Sequence, residues 1–358
     1  MPRDYSVFLP STARGETPKP PVSGLQSLGW QPFFAQQISI DELTQTPPVR
    51  VTEVHRNGLR VLGDRLDSMI PPRADATVGD WLLFDHQLPS ASRLLERKSL
   101  IKRRAAGHDR SVQLIAANID TVFIVTSCNL DFNLARLERY VALGFDAGVT
   151  PVILLTKPDL CDDPASYVTQ AETISTDVAV LTLNARSDEP KTKLAPWCRP
   201  GQTVAFLGSS GVGKSTLTNA LSGTNSAATQ AIREDDAKGR HTTSHRQLHL
   251  LPDGCAVLDT PGVRELQLTE AEAGVAEVFS DLDALSLECR FNDCTHISEP
   301  GCAVQAALER GDIDAARLAR WRKLVAEDQH NTATLAQRRS RDKAFGKMIK
   351  QAKKHKSK

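Results

Sequence analysis

Gly208-Ser209-Ser210-Gly211-Val212-Gly213-Lys214-Ser215 fits G-x-x-x-x-G-K-[ST], a spacing suited to holding phosphate. Glycines let successive backbone amides converge on phosphate oxygens, and the N-terminus of a following helix adds partial positive charge. Lys214 can place a point charge on the β- and γ-phosphates of a nucleotide, Ser215 can offer a hydroxyl to Mg²⁺, and Thr216 completes the binding turn. Asp259-Thr260-Pro261-Gly262 fits D-x-x-G. Asp259 is expected to hold Mg²⁺ through water and the Gly262 amide to meet the γ-phosphate. Between them lies Gly239-Arg240-His241-Thr242-Thr243, where a threonine should coordinate Mg²⁺. Thr242 and Thr243 both qualify, and Thr243 is assigned.

Two further segments select the base. Thr156-Lys157-Pro158-Asp159 resembles the guanine-specificity motif Asn-Lys-x-Asp with Thr in the first position. The Asp159 carboxylate can accept from the N1–H and 2-amino groups of guanine, a donor pair that adenine lacks. The Lys157 stem can lie over the base plane. Asn184-Ala185 resembles the small-residue motif whose backbone amide contacts the guanine oxygen. Taken alone, Thr-Lys-Pro-Asp would more often be a surface turn. At the C-terminal end of a buried strand, beside a second such motif, it reads as a guanine site.

A third constellation is Cys289-x4-Cys294-x-His296-x5-Cys302, three thiols and an imidazole within 14 residues. Tetrahedral Zn²⁺ takes Cys3His, and four protein ligands leave no open position for chemistry, so a structural ion is expected. The remaining cysteines, Cys128, Cys161, Cys198 and Cys255, are scattered through apolar or loop sequence and read as small buried thiols. Seven cysteines is an odd number, which argues against a complete disulfide framework.

These residues need a scaffold. Apolar runs at Thr121–Thr126, Pro151–Thr156, Val178–Leu183, Thr203–Leu207 and Cys255–Leu258 alternate with helical stretches such as Leu134–Gly144. Buried strands alternating with helices imply an α/β domain with a mostly parallel sheet. Arg246–Leu251 alternates weakly and is expected as a sixth, edge strand. Upstream, Val49–Val54, Leu59–Leu62 and Trp81–Phe84 are separated by turn signals, which suggests a small OB-like or SH3-like barrel. Downstream of Thr269 the chain reads as helical around the Cys/His cluster, with Ala303–Leu308 and Asp314–Val325 amphipathic. The expected organisation is an irregular extension over 1–46, a barrel over 47–105, a nucleotide-binding domain over 106–268, a helical zinc domain over 269–337 and a basic tail over 338–358.

Composition narrows the classes. With 40% apolar and 24% charged residues, wholesale disorder and a fibrous protein are both excluded. No apolar run approaches the roughly 18–20 residues that cross a bilayer, and the polar, Pro-rich N-terminus does not resemble a signal peptide. A cytoplasmic, monomeric protein is expected. The formal net charge of +1 hides an asymmetry, because 338–358 carries ten Lys and Arg against one acid while the rest of the chain is acidic. Such a tail is expected to be disordered and to bind RNA phosphates.

The motif order is unusual. In Ras-like chains the phosphate loop comes first and the base motifs last, whereas here 156–159 and 184–185 precede 208–215. Circular permutation preserves spatial contacts while moving the cut, and it appends whatever follows D-x-x-G as a new C-terminal domain. With this order, the chain resembles the RsgA (YjeQ) family of circularly permuted GTPases, small-ribosomal-subunit biogenesis factors. The resemblance is carried by Ile115-Ala116-Ala117-Asn118-Ile119-Asp120, Thr156–Asp159, Gly208–Thr216, Gly239–Thr243, Asp259–Gly262 and the cluster opening Cys289-Arg290-Phe291, and it spans residues 48–330. It implies an OB-fold barrel, a zinc-finger C-terminal domain, and binding to rRNA of the maturing small subunit near its decoding region. It also implies GTP and GDP as ligands, with hydrolysis controlling release late in maturation.

One departure concerns mechanism. Val263 follows D-x-x-G, where Ras-like enzymes carry a water-orienting Gln, so slow intrinsic turnover that the subunit accelerates is expected. His241 is the nearest polar candidate for that task, and an exposed switch residue or an RNA contact is its alternative reading. Two other classes compete: an RNA-binding module with a vestigial nucleotide site, and an ATP-dependent kinase or ATPase. Intact Lys214, Ser215, Asp159 and Asp259 oppose the first, and Asp159 opposes the second.

Overall fold

The computed structural model describes residues 24–104, 112–223, 246–259 and 271–332. The stretch 1–46, expected to be irregular, holds three short helices in its described part: α1 (Gly24–Ser27), α2 (Pro32–Ala35) and α3 (Ile40–Gln45). A capping box starts α3, with Ser39 Oγ accepting from Glu42 N–H and the Glu42 carboxylate accepting from Ser39 N–H. Apolar side chains stop this segment from detaching, since Leu28 and Phe34 are buried and Trp30 and Phe34 pack against Trp81 at 4.8 and 5.7 Å between ring centroids.

Five antiparallel strands follow: β1 (Pro48–His55), β2 (Gly58–Gly63), β3 (Leu66–Ile70), β4 (Trp81–Leu83) and β5 (Arg93–Leu94). They pair in the order β3-β2-β1-β4-β5 around Val49, Val51, Leu59, Val61, Ile70 and Leu82. A two-stranded ribbon, β6 (Leu100–Arg104) with β7 (Val112–Ala117), leads into the central domain.

There the chain forms β8 (Thr121–Ser127), α4 (Leu134–Asp146), β9 (Thr150–Thr156), α5 (Pro164–Glu172), β10 (Ala179–Leu183), α6 (Glu189–Lys193), β11 (Thr203–Leu207), α7 (Lys214–Ser222), β12 (Arg246–Leu250) and β13 (Ala256–Asp259). Spatial order is β10-β9-β8-β11-β13-β12, parallel throughout except for β12. The phosphate-loop strand β11 thus sits between β8, which precedes it in the chain, and β13, which follows it. Chain order and spatial order therefore differ, as the reversed motif order requires, on a mixed sheet.

The expected edge strand is not an edge. Its pairing with β1, Glu53 opposite Gln247 and Val54 opposite Arg246, carries the sheet on into the N-terminal strands, eleven in all. Polar side chains reinforce the seam and tie it to the ribbon: Gln247 donates to Glu53 Oε1 of β1 at 3.2 Å, and the Arg246 guanidinium donates to the Leu114 carbonyl of β7 at 2.6 Å.

Four helices complete the described chain, α8 (Glu272–Val278), α9 (Ser280–Leu287), α10 (Ala303–Arg310) and α11 (Ala315–Thr332). They pack on α4 through Val275, Val278, Phe279, Leu318, Trp321 and Leu324 against Leu137, Tyr140 and Val141. Approach is close at Gly274, where a Cβ would lie 2.0 Å from the Ala142 carbonyl oxygen. Glu138 on α4 is fully buried and accepts twice from Arg320 Nε of α11, at 2.9 Å to each carboxylate oxygen. Burial pushes its carboxyl up from the ordinary range, and the Arg320 guanidinium opposes that rise.

Candidate functional site

The C-terminal ends of β9, β10, β11 and β13 lie along one edge of the parallel sheet, the edge where open α/β sheets bind ligands. The two base motifs and the phosphate loop follow the ends of β9, β10 and β11, and Asp259 ends β13.

The phosphate loop follows β11. At Gly208 φ is +142° and a Cβ would come 2.1 Å from the Val125 carbonyl oxygen, so only glycine lets the loop leave the sheet there. Val212 is buried among Phe123, Phe206 and Leu217 and pins the loop to the core. Gly213, also at positive φ, delivers the chain into α7, which starts at Lys214. Lys214 Nζ donates to the Gly208 carbonyl at 2.7 Å and to the Ser209 carbonyl, so the ammonium is folded back along its own loop. Ser210, Gly211 and Ser215 are exposed, while Ser209 and Thr216 are half-buried.

Although they come earlier in the chain, the base-motif residues lie against this loop. Thr156 is buried at the end of β9, its hydroxyl 2.7 Å from the Val212 carbonyl oxygen and 3.1 Å from that of Thr126. Lys157, in the left-handed region at φ +58°, donates through Nζ to the Gly211 carbonyl at 2.9 Å. Pro158 and Asp159 form the following 3-10 turn with the Asp159 side chain exposed. From β10, Asn184-Ala185 arrives beside them: Leu183 is in register with Thr156, and the Ala185 Cβ lies 3.7 Å from where a Gly213 Cβ would stand. Thr156 and Lys157 thus tie the turn that carries Asp159 to the loop that carries Lys214. Asp259 ends β13 next to β11. Thr242, Thr243, His241, Gly262 and Val263 lie outside the described residues, as does the tail 338–358.

The Cys/His cluster is assembled between the end of α9 and the start of α10. Its four ligand atoms lie within 4.8 Å of one another. Cys289 Sγ is 3.8 Å from Cys302 Sγ, and His296 Nδ1 is 3.4 and 3.6 Å from those two sulfurs. A tetrahedral zinc ion at its usual bond lengths would set sulfur–sulfur edges of about 3.8 Å and sulfur–nitrogen edges of about 3.6 Å. The donor set fits that ion. Arg322 supports the fit, because its Nε and Nη2 are buried without an acceptor among the described residues and its charge is felt at His296. Three thiolates around Zn²⁺ leave a net negative charge to offset it.

Two supporting residues escape pattern matching. Glu299 accepts from the Thr295, Ile297 and Ser298 amides and the Thr295 hydroxyl, which fixes the ligand loop. The Thr295 hydroxyl and amide hold its carboxyl down at about 2. Glu189 accepts from the Asn184 amide at 3.2 Å. Its place in the first turn of a helix just after a motif is the one sequence signal for it.

The sequence profile of the RsgA GTPase family matches residues 94–269. A Vibrio parahaemolyticus protein named small ribosomal subunit biogenesis GTPase RsgA 2 is 48% identical over 332 residues, 91% of this chain and 92% of its own length. A Mesorhizobium japonicum protein named small ribosomal subunit biogenesis GTPase RsgA is 50% identical over 316 residues, 86% and 91% of the two chains. Among solved structures, YjeQ from Thermotoga maritima superposes with a TM-score of 0.55 at 24% identity, covering 78% of this chain and 97% of that one. YloQ, described as a circularly permuted GTPase, gives 0.53 at 22% identity, covering 81% and 97%.

Proposed function

The chain belongs to the RsgA GTPase family, and from that premise we propose that it binds the maturing small ribosomal subunit through rRNA and uses GTP hydrolysis to time its own release. The observation that carries this reading is the contact of Thr156 and Lys157 with Val212 and Gly211, which joins a base motif to a phosphate loop across a reversed chain order.

In this reading Asp159 accepts from guanine N1–H and the 2-amino group, Lys157 covers the base, and the Ala185 amide donates to the guanine oxygen. The amides of 208–216 hold the phosphates, and Lys214 exchanges its loop carbonyls for β- and γ-phosphate oxygens. Ser215 and Thr243 would hold Mg²⁺, with Asp259 bound through water; the ion neutralises phosphate charge when present. The Gly262 amide meets the γ-phosphate, so 239–243 and 259–262 respond to its loss. Val263 cannot orient water, which leaves hydrolysis slow until the subunit supplies the missing organisation. His241 is the chain's own candidate for that positioning.

Cys289, Cys294, His296 and Cys302 would hold one structural zinc. Residues 47–105 are assigned as an OB-like barrel, 106–268 as the GTPase domain, 269–337 as the zinc domain and 338–358 as an RNA-binding tail on a monomeric protein. GTP turnover with and without purified small subunits tests the proposal: slow release of phosphate alone and a large acceleration with subunits are expected. A rate that subunits leave unchanged overturns it.

A further inference from the structure

The turn after β10 controls which of its backbone donors is available. Three consecutive amides could point out of it. The Asn184 N–H is taken by Glu189 Oε2 at 3.2 Å, and the Arg186 N–H by the Asn184 side-chain oxygen at 2.9 Å. Between them, the Ala185 N–H has no acceptor among the described residues, although Ala185 is buried against the phosphate loop.

Glu189 is itself braced. Its Oε2 accepts from Lys193 Nζ at 2.8 Å, one helical turn on, and the same ammonium donates to the Thr182 carbonyl in β10 at 2.7 Å. A closed ring of contacts runs from the strand to Lys193, to Glu189 and back to Asn184. Ser187 closes the other side, its hydroxyl donating to the Asn184 carbonyl at 2.9 Å. The carboxylate is ionised at neutral pH, because Lys193 lowers its affinity for a proton.

We propose that Glu189 is a positioning residue for guanine recognition: by occupying the Asn184 amide it leaves the Ala185 N–H as the one backbone donor presented to the base oxygen. This rests on the guanine reading of the pocket. A single donor there favours a 6-oxo base over a 6-amino base, whose own N–H would face it with no acceptor between. Without Glu189, the Asn184 N–H becomes a second open donor and the turn loses its tie to α6.

The test is the affinity of Glu189→Ala for three nucleotides. GTP and ITP both carry the 6-oxo group, whereas 2-aminopurine riboside triphosphate lacks it. Glu189→Ala is expected to weaken GTP and ITP by about fivefold, the equivalent of one ordinary hydrogen bond, and to leave the 2-aminopurine nucleotide unchanged. Glu189→Gln, whose amide oxygen can still accept from Asn184, is expected to recover most of the loss. Unchanged GTP affinity overturns the inference, and so does equal weakening of all three nucleotides. Asp159→Asn in the same assay separates the premise: if it fails to shift preference from GTP towards XTP, the guanine pocket itself is misread. If it does shift preference while Glu189→Ala does nothing, only the role of Glu189 falls.

Discussion

The Thr156 hydroxyl lies 2.7 Å from the carbonyl oxygen of Val212, joining the end of β9 to the middle of the phosphate loop. Both residues are buried, at 0% and 1% exposure, so no water can replace the bond. Thr156→Val keeps the shape and removes the donor, leaving the Val212 carbonyl without it. Loss of a buried partner costs about 1–3 kcal/mol. In the proposed site this loop holds the phosphates, so part of that loss should appear as weaker nucleotide affinity. GTP and GDP are expected to bind roughly tenfold less tightly by calorimetry. Equal affinity in the variant and wild type would show that Val212 alone fixes the loop.

Glu138 and Arg320 make the central polar contact between α4 and α11. The carboxylate is fully buried, whereas the guanidinium keeps 21% of its side chain exposed. Glu138→Ala would leave a mostly buried cation without its partner, a change worth about 3–5 kcal/mol when neither group can reach water. Partial exposure of Arg320 places the expected loss near the lower end, about 3 kcal/mol. It should appear as a lower unfolding temperature with GTP affinity retained. A Glu138→Leu, Arg320→Leu double variant should recover much of it, since a packed apolar pair replaces the ions.

Much of this arrangement is legible in the residues. Strand ends and helix starts around Gly208–Ser215 follow from glycine, apolar-run and cap chemistry, all local. The nearness of Thr156–Asp159 and Asn184-Ala185 to the phosphate loop is legible because these motifs follow neighbouring parallel strands, which align their C-terminal ends whatever the chain order. Contacts set by partners distant in sequence leave no local trace. Arg246 and Gln247 look like an exposed edge until β1 pairs alongside them and Leu114 and Glu53 accept from their side chains. Residues 24–46 lack periodicity because their order comes from Phe34 and Leu28 packing around Trp81, not from an amphipathic face of their own. The helix expected over Asp314–Val325 runs on to Thr332 for a related reason. Buried Asp328 accepts from the Ala271 amide at 2.9 Å and rewards another turn.

Residues 338–358 concentrate ten cations on a chain whose remainder is acidic. Each cation that neutralises a phosphate releases a counterion, so binding to RNA should fall steeply with salt. Deleting 338–358 is expected to flatten the plot of log affinity against log salt by several units, at about 0.7 for each phosphate of single-stranded RNA that the tail no longer neutralises. GTP affinity should not change. An unaltered slope would place the RNA-binding surface on the folded body instead.

Zinc content gives the last test, and the geometry makes it selective. One zinc per chain is expected by elemental analysis, with Cys302→Ser reducing it and a chelator removing it at elevated temperature. The consequence should be local at first. His296 lies against Trp321 at 5.3 Å between ring centroids, and Trp321 belongs to the apolar cluster that seats α8 and α11 on α4. Loss of the ion should therefore change Trp321 fluorescence and lower the unfolding temperature of the C-terminal helices. The phosphate loop belongs to a different cluster, built on Phe123, Val212 and Leu217 on the sheet's other face. GTP affinity should accordingly stay within about twofold of the zinc-loaded protein, since well-separated sites with no shared partners behave additively. A metal-free protein with an unchanged unfolding temperature would mean that the four ligands hold nothing the fold needs. A large drop in GTP affinity on zinc loss would mean that α4 transmits strain through the sheet from one face to the other.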